Sequence, residues 1–322
     1  VPGRGYRFLT RPEVSSDLES AASQRGDPAG QGEPIVGRRL EIEYLMNRFL
    51  EADKGRRQLV FVAGEPGAGK TTLVQLLMER LAGRPGATLV GAQCAMSFGA
   101  GEAYGPVLEA LGRLAAEPDG GALTRLLDDC APMWLVQLPA AVESSELERL
   151  QHRVEGATRE RMVRELNDAL ERLTRQATLV LVLEDLHWSD VATVDLLTSI
   201  AQRPGAARLL ILGTYRPADA VVSAPALGEA IRELEGRGLC EHLDLELLTR
   251  RDVGEYTAAR IGGMYSEDAT DHVFQRSGGN ALFMVNVLDH LVQAGALIRK
   301  LDGRWGVDSA AAAPSQVPEG LR

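Results

Sequence analysis

The residues best suited to chemistry are the eight from Gly64 to Thr71, which read Gly-Glu-Pro-Gly-Ala-Gly-Lys-Thr. This spacing is typical of a P-loop, in which successive backbone N–H groups point at phosphate oxygens. The lysine, here Lys70, reaches the β- and γ-phosphates, and the hydroxyl of Thr71 ligates Mg²⁺. A glycine-rich surface turn is the alternative. The predicted phosphate-binding residues are Gly64, Glu65, Pro66, Gly67, Ala68, Gly69, Lys70, Thr71 and Thr72.

Two acids, Glu184 and Asp185, follow the apolar run 179–183. A buried strand that ends in acids is expected beside a P-loop, because one carboxylate holds the Mg²⁺ shell and the other polarises the attacking water. By position Glu184 is the metal-linked acid and Asp185 the base. The longer glutamate side chain leaves the assignment of the two roles open, and a solvated acidic turn is the alternative. His187 is interpreted as a packing or turn residue.

A third candidate is Arg216, which follows the apolar run 209–212 and precedes Pro217. A guanidinium at the end of a buried strand can contact the γ-phosphate and neutralise its charge during transfer. A surface arginine beside a proline turn is equally consistent with the spacing. Further along, Asn280 in the segment Ser-Gly-Gly-Asn-Ala-Leu-Phe predicts the cap of a helix.

The elements around these residues alternate between strands and helices. Strands are predicted at 58–63, 87–90, 179–183 and 209–212, which indicates a parallel sheet covered on both faces. After about Leu245 the strand pattern disappears, and helices are predicted at 250–261, 266–276 and 281–294. The predicted fold class is therefore α/β, a P-loop NTPase with a parallel sheet covered by helices, followed by a small all-helical domain.

The sequence predicts an apolar face on two of the helices. The first face comprises Leu40, Tyr44, Leu45, Phe49 and Leu50, and the last comprises Leu282, Val285, Leu288, Leu291 and Val292.

The composition limits the function classes. A net charge of −10 gives no basic surface for nucleic acid on this chain as a whole. Cys94, Cys130 and Cys240 are scattered and form no C-x-x-C pair, which fits a reducing cytoplasm. No apolar run approaches the ~18 residues that a membrane span requires, so no membrane contact and a cytoplasmic location are predicted.

From Ile35 to about Trp305 the chain resembles the nucleotide-binding module of STAND-type signalling ATPases, close to the origin-recognition-like AAA ATPases. The resemblance implies that Val36, Gly37 and Arg38 lie near the adenine and that Arg216 senses the phosphate. It also implies that a Gly-Asn-Pro-Leu-Phe turn helps to hold a closed ADP form. Ala281 replaces that proline here, so a less rigid turn is expected. The matching blocks are 35–39, the P-loop, 93–106, 131–135, 183–190, 213–216 and 279–283.

Residues 1–8, Val-Pro-Gly-Arg-Gly-Tyr-Arg-Phe, resemble the closing hairpin of an OmpR-type winged-helix DNA-binding domain. The expected organisation is a winged-helix tail at 1–10, a linker at 11–34, an ATPase domain at 35–245, a helical domain at 246–300 and the start of a further segment at 301–322. The chain is therefore expected to be a fragment of a longer bacterial transcriptional regulator.

The function implied by these resemblances is a slowly ATP-hydrolysing conformational switch. Its partners would be ATP or ADP, and DNA through the winged helix; self-association is left open. Two alternatives stay open, namely the regulatory module of a class III cyclase or kinase fusion, and a nucleotide-gated scaffold that does not hydrolyse ATP. A replication-type loader is disfavoured by the acidic charge balance.

Overall fold

The computed structural model describes residues 35–94, 103–263, 265–300 and 303–308. Within them, five strands form one parallel sheet in the order β2-β3-β4-β1-β5. This confirms the predicted parallel sheet of a P-loop NTPase. The predicted winged-helix tail and linker lie outside the described residues. The strands are β1 Gln58–Ala63, β2 Ala87–Gln93, β3 Thr178–Glu184, β4 Leu209–Tyr215 and β5 Glu241–Asp244.

Strand β5 was not predicted from the sequence. It contains only four residues, Glu-His-Leu-Asp, and pairs with β1 alone at the edge of the sheet. An edge strand this short and polar has neither the continuous apolar run nor the alternation by which strands are recognised. Of the four predicted strands, β1, β3 and β4 are almost wholly buried and rich in apolar residues, whereas β2 is only partly buried and was recognised from the short run 87–90.

Helices cover both faces of the sheet, as predicted. Along β1, Leu59 and Phe61 contribute to the apolar core on one face, while Val60 and Val62 contribute to the core on the other. The helices are α1 Arg39–Asp53, α2 Lys70–Leu81, α3 Gly105–Ala116, α4 Gly120–Cys130, α5 Pro132–Leu135, α6 Ser144–Val154, α7 Arg159–Leu173, α8 Val191–Gln202, α9 Pro217–Val222, α10 Pro225–Gly236, α11 Arg250–Ile261, α12 Glu267–Ser277 and α13 Ala281–Gln293.

The predicted apolar face of α1 is partly wrong. Leu40 is 75% exposed and Leu50 is 37% exposed. The buried residues are Ile42, Leu45, Phe49 and Ala52, whose three- and four-residue spacing places them on one side of the helix. Leu40 and Leu50 lie away from that side of the helix, so their apolar character alone does not bury them.

The region after β5 is mainly helical and has its own apolar core, to which α11, α12 and α13 contribute. On α13 the predicted face is again partly wrong, since Leu282 and Val292 are 49% and 54% exposed. Leu288 and Leu291 are buried as predicted, and Met284, which was not predicted, is buried with them.

A two-stranded antiparallel hairpin, which the sequence did not predict, follows α13. It pairs β6 Leu297–Arg299 with β7 Trp305–Val307, and so joins residues on both sides of the predicted boundary at 300. Among the described residues, no helix is both long and apolar enough to cross a membrane.

Candidate functional site

The predicted site residues meet where three strands of the sheet end. Parallel strands place their carboxyl ends at one edge, and ligands bind there in open α/β sheets. The P-loop follows β1, Asp185 follows β3 and Arg216 follows β4, with β4 lying between the other two strands. The sheet order therefore brings together residues that are more than a hundred positions apart in the sequence.

The P-loop curls because two of its glycines adopt backbone angles that other residues avoid. Gly67 has φ 77° and Gly69 has φ 97°. Gly69 is also the N-cap of α2, which begins at Lys70. The free N–H groups and the positive dipole end of a helix N-terminus attract phosphate. At the tip of the loop, Glu65 and Pro66 are exposed.

Lys70 is buried, and its Nζ donates to the carbonyl oxygens of Gly64 at 2.7 Å and Glu65 at 3.1 Å. Burial, reinforced by the positive charge of Arg216, lowers the pKa of Lys70. Neutral carbonyls satisfy the hydrogens of an ammonium group without cancelling its charge. The Lys70 ammonium group thus offers a positive charge to an anion bound beside the loop.

Thr71 and Glu184 are in direct contact, because Thr71 Oγ1 donates to Glu184 Oε2 at 2.6 Å. Thr71 lies in the first turn of α2, and Glu184 is the last residue of β3. The contact joins the two halves of the predicted metal site. Thr72, the next residue of α2, is exposed.

Asp185 has φ 56°, a left-handed conformation that is uncommon for residues other than glycine. Its backbone N–H donates to Thr214 Oγ1 at 2.9 Å, and Gln93 Nε2 donates to its Oδ2 at 3.2 Å. Neighbouring strands on both sides therefore orient this acid. The sequence reasoning missed the contact from Gln93, although the pairing of Gln93 with Glu184 across β2 and β3 places it there.

Arg216 lies directly after β4, where its guanidinium Nη1 is 3.6 Å from Asp219 Oδ2. Its Nε is buried and has no hydrogen-bond partner among the described residues. His187 is also buried, which lowers its pKa, and its Nε2 lies 3.5 Å from Asp219 Oδ2. His187 was interpreted from the sequence as a packing or turn residue. The structure places it among the charged groups of the site.

The three residues predicted to lie near adenine line the junction between the P-loop and the helical region. Arg38 Nη2 donates to the carbonyl oxygens of Ala68 and Glu246, both at 2.8 Å. Val36 packs against the apolar core of the helical region. Gly37 has φ 66°, which other residues rarely adopt, and a Cβ there would lie 2.6 Å from the carboxyl carbon of Asp252 and displace that side chain.

The same junction includes a contact that the sequence reasoning missed, here called the P-loop–α13 contact (Pro66, Gly67, Asn280 and Leu282). Asn280 caps α13 as predicted, since its Oδ1 accepts from the N–H groups of Leu282 and Phe283. Its Nδ2 also donates to the Pro66 carbonyl at 2.7 Å. In addition, the N–H of Leu282 donates to the Gly67 carbonyl at 3.1 Å. A capping motif gives no sign of such a distant partner.

The site fits a nucleoside triphosphate with Mg²⁺. The ammonium group of Lys70 and the buried Nε of Arg216, which has no partner among the described residues, suit phosphate oxygens. Thr71 and Glu184 offer the hard oxygen ligands that Mg²⁺ prefers. No group of three or more His, Cys, Asp or Glu suited to a metal occurs among the described residues.

Comparisons with known proteins indicate the family of the chain. The family model described as "AAA ATPase domain" matches residues 34–212, which is more than half of the chain. An uncharacterized protein of Rhizobium meliloti (strain 1021) is 25% identical over 278 residues, covering 81% of this chain. The chain spans about a quarter of the length of that relative.

Among solved structures, similarity is found with the Walker-type ATPase paby2304 of Pyrococcus abyssi, at 14% identity and a TM-score of 0.49, covering 81% of this chain and 69% of that one. A STAND protein with a tetratricopeptide repeat sensor from Pyrococcus horikoshii has 14% identity and a TM-score of 0.47, with coverages of 81% and 30%. Cdc6p from Pyrobaculum aerophilum has 14% identity and a TM-score of 0.47, with coverages of 84% and 65%.

Proposed function

The chain belongs to the AAA ATPase domain family, and we propose that it binds ATP with Mg²⁺ and hydrolyses the nucleotide slowly as a conformational switch. The observation that carries this proposal is the 2.6 Å hydrogen bond from Thr71 to Glu184, which joins the P-loop to the acidic strand end. A P-loop without an acidic partner would bind phosphate without the means to hold a metal. This contact supports a complete nucleotide site.

Each residue then has a role in the reaction. Lys70 binds the β- and γ-phosphates, and Thr71 and Glu184 hold Mg²⁺, which neutralises charge on the phosphate oxygens when bound. Asp185, oriented by Gln93 and Thr214, polarises the attacking water.

Arg216 neutralises the charge that develops on the transferred phosphoryl group.

Slow turnover is supported by the identity of the water-polarising acid. Asp185 is one methylene shorter than glutamate, and one of its oxygens already accepts from Gln93. Both features limit its reach toward a water molecule. A long-lived bound state also suits a switch, because the ATP-bound and ADP-bound states must each persist long enough for the rest of the protein to respond.

The switch is supported by the P-loop–α13 contact. Two P-loop carbonyls, those of Pro66 and Gly67, accept hydrogen bonds from the helical region. A change in the loop between the ATP and ADP states would therefore alter how α13 packs. A nucleotide shifts such an equilibrium only through different contacts in the two states, and these hydrogen bonds offer them.

The cellular role we propose is transcription regulation in the cytoplasm. It is supported by the resemblance of residues 1–8 to the end of a winged-helix domain. The matching test is DNA binding by the full-length protein, compared between ATP and ADP. Binding that does not depend on the nucleotide would contradict a switch role in transcription.

The direct test is calorimetric titration of ATP and ADP with Mg²⁺, combined with a turnover assay. Lys70→Ala should abolish binding of both nucleotides. Lys54→Ala is the matched control, since Lys54 is 62% exposed and pairs with Glu51 at the end of α1. If Lys70→Ala binds both nucleotides as well as Lys54→Ala does, the proposed site is wrong. Tight binding that requires Lys70 but gives no cleavage would instead indicate a nucleotide-gated scaffold.

A further inference from the structure

Four side chains form a row beside the phosphate-binding loop. Asp219 Oδ2 faces two neighbours, Arg216 Nη1 at 3.6 Å and His187 Nε2 at 3.5 Å. The same His187 Nε2 lies 3.9 Å from Asp185 Oδ1. The row therefore runs from Arg216 through Asp219 and His187 to Asp185, the acid assigned to the attacking water.

His187 is the member of this row whose buried ring lacks hydrogen bonds to the described part of the chain. Its side chain is fully buried, yet neither ring nitrogen has a hydrogen-bond partner among the described residues. Buried polar groups without partners are rare in folded proteins and cost free energy. Because two carboxylates flank the same nitrogen at 3.5 and 3.9 Å, a small shift of either one would complete a hydrogen bond.

Asp219 is at the same time the nearest counter-charge of Arg216. Arg216 lies close enough to Lys70 for its charge to lower the pKa of that lysine, which places two cations beside the loop. A terminal phosphate bound by Lys70 would present oxygens to the same guanidinium. Asp219 and the phosphate are thus alternative anions for one cation.

We propose that Asp219 is a positioning residue that competes with the terminal phosphate for Arg216, and that His187 transmits the outcome to Asp185. This inference rests on the proposed nucleotide site. When Arg216 contacts the phosphate, the Asp219 carboxylate becomes free to accept a hydrogen bond from His187 Nε2. Asp185 is then released to orient water. With ADP bound, Arg216 returns to Asp219, and His187 donates to Asp185.

The arrangement has a functional consequence. The water-polarising acid is freed only when a terminal phosphate has withdrawn Arg216 from Asp219. Phosphate recognition and water activation are thereby coupled through Asp219 and His187.

The test measures the dissociation constants of ATP and ADP with Mg²⁺ for wild type, Asp219→Asn, Arg216→Ala and the double variant. Removing the competing carboxylate should raise the preference for ATP over ADP by about two- to fivefold, the range of a half-exposed ion pair. The same substitution in the Arg216→Ala background should leave the preference unchanged. Asp195→Asn is the control, because Asp195 pairs with Arg159 on an exposed surface.

The His187 step is tested by turnover at saturating ATP. Asp219→Ala should lower turnover at least about fivefold, because His187 Nε2 can then donate only to Asp185 and keeps that acid from the water. Adding His187→Leu to Asp219→Ala should recover most of the loss, whereas adding His187→Gln, which keeps an N–H donor, should not. Asp219→Ala is the second variant, with the same expected gain in ATP preference. Thermal unfolding verifies that each variant is folded.

Three outcomes would overturn the inference. The first is an unchanged or lowered ATP preference in both Asp219 variants. The second is a change in preference that persists without Arg216, and the third is an Asp219→Ala variant whose turnover either does not fall or is not recovered by adding His187→Leu. If wild type binds ATP in a Lys70-dependent manner while any of these occurs, only this inference is wrong. If wild type binds neither nucleotide, the proposed function is wrong and the inference with it.

Discussion

The proposed nucleotide site at the strand ends and the P-loop–α13 contact meet at the same loop but use different interactions. At the strand ends, charged side chains such as Lys70, Glu184 and Arg216 surround the place for a ligand. At the P-loop–α13 contact, backbone carbonyls of Pro66 and Gly67 accept hydrogen bonds from the helical region. The strand ends are suited to binding an anion. The P-loop–α13 contact is suited to responding to a change in the conformation of the P-loop.

The strongest test of this division is Asp185→Asn at the strand ends. Loss of the water-polarising carboxylate should lower turnover by about 10²-fold or more, the usual contribution of a general base. ATP affinity should stay within a few-fold of wild type. Asparagine tolerates the left-handed backbone of residue 185, so the turn is preserved. Single-turnover hydrolysis gives the measurement.

Glu184→Gln is the comparison variant, because it should raise the Mg²⁺ concentration needed for half-maximal binding of ATP. If the two variants show the opposite pattern, the roles of Glu184 and Asp185 are exchanged. If neither variant affects turnover or the Mg²⁺ requirement, the acidic strand end takes no part in the chemistry.

The next largest effect should come from Gly67→Ala, at the point where both regions meet. Gly67 and Gly69 both have positive φ, so alanine at either position costs about 1–2 kcal/mol. At Gly67 the added Cβ would also lie 2.5 Å from Asn280 Oδ1, whereas at Gly69 it meets only Ala281 Cβ at 3.9 Å. The free energy of unfolding should therefore fall by at least about 1 kcal/mol more for Gly67→Ala.

Gly69→Ala is thus the matched control for backbone strain. Chemical unfolding of both variants, with hydrogen exchange at the N–H of Leu282, gives the measurement. If the free energy of unfolding falls equally in both variants, the P-loop–α13 contact adjusts to the added methyl group without loss of stability. Such a contact could not transmit a change in the P-loop to α13.

The same two regions differ in how far the sequence predicts them. Local motifs beside apolar runs contain the charged and polar residues of the first region, namely Lys70, Thr71, Glu184 and Arg216. Parallel pairing of the strands then brings the ends of these runs together. The hydrogen bond from Asn280 to Pro66 joins residues 214 positions apart, and no local pattern encodes that partner.

Other errors have local physical causes. Strand β5 is too short and polar to be recognised, and it is held in place by its pairing with β1. On α1, Leu40 was assigned to the core because of its residue type, although the helix directs it outward. The row through His187 depends on a turn after β3 and on the first turn of α9, which the sequence shows only as separate motifs.

Asn280→Ala tests the P-loop–α13 contact directly and should have a moderate effect. It removes the cap of α13 and the hydrogen bond to Pro66, so the free energy of unfolding should fall by about 1–2 kcal/mol. Asn280→Asp separates the two contributions, since aspartate caps a helix but cannot donate to a carbonyl. If Asn280→Asp behaves as wild type in unfolding and in ADP affinity, the bond to Pro66 has no energetic weight.

The smallest expected effect, and the one of opposite sign, is that of Ala281→Pro. Ala281 is the first residue of α13, where proline is favoured because its missing N–H is not needed by the helix. The preceding Asn280 has φ −71° and ψ 123°, a conformation that is compatible with a following proline. The free energy of unfolding should therefore rise by about 0.4–1 kcal/mol, because the unfolded chain loses conformational freedom.

A stiffer start of α13 should also favour whichever nucleotide state keeps the P-loop–α13 contact intact. If that is the ADP state, ADP should dissociate more slowly from Ala281→Pro, and the effect should disappear in the Asn280→Ala background, where the contact is lost. Stopped-flow displacement of a fluorescent ADP analogue measures this rate. If Ala281→Pro is more stable but releases ADP at the wild-type rate, the contact stabilises the fold without responding to the nucleotide. The switch would then have to act through other contacts of the P-loop.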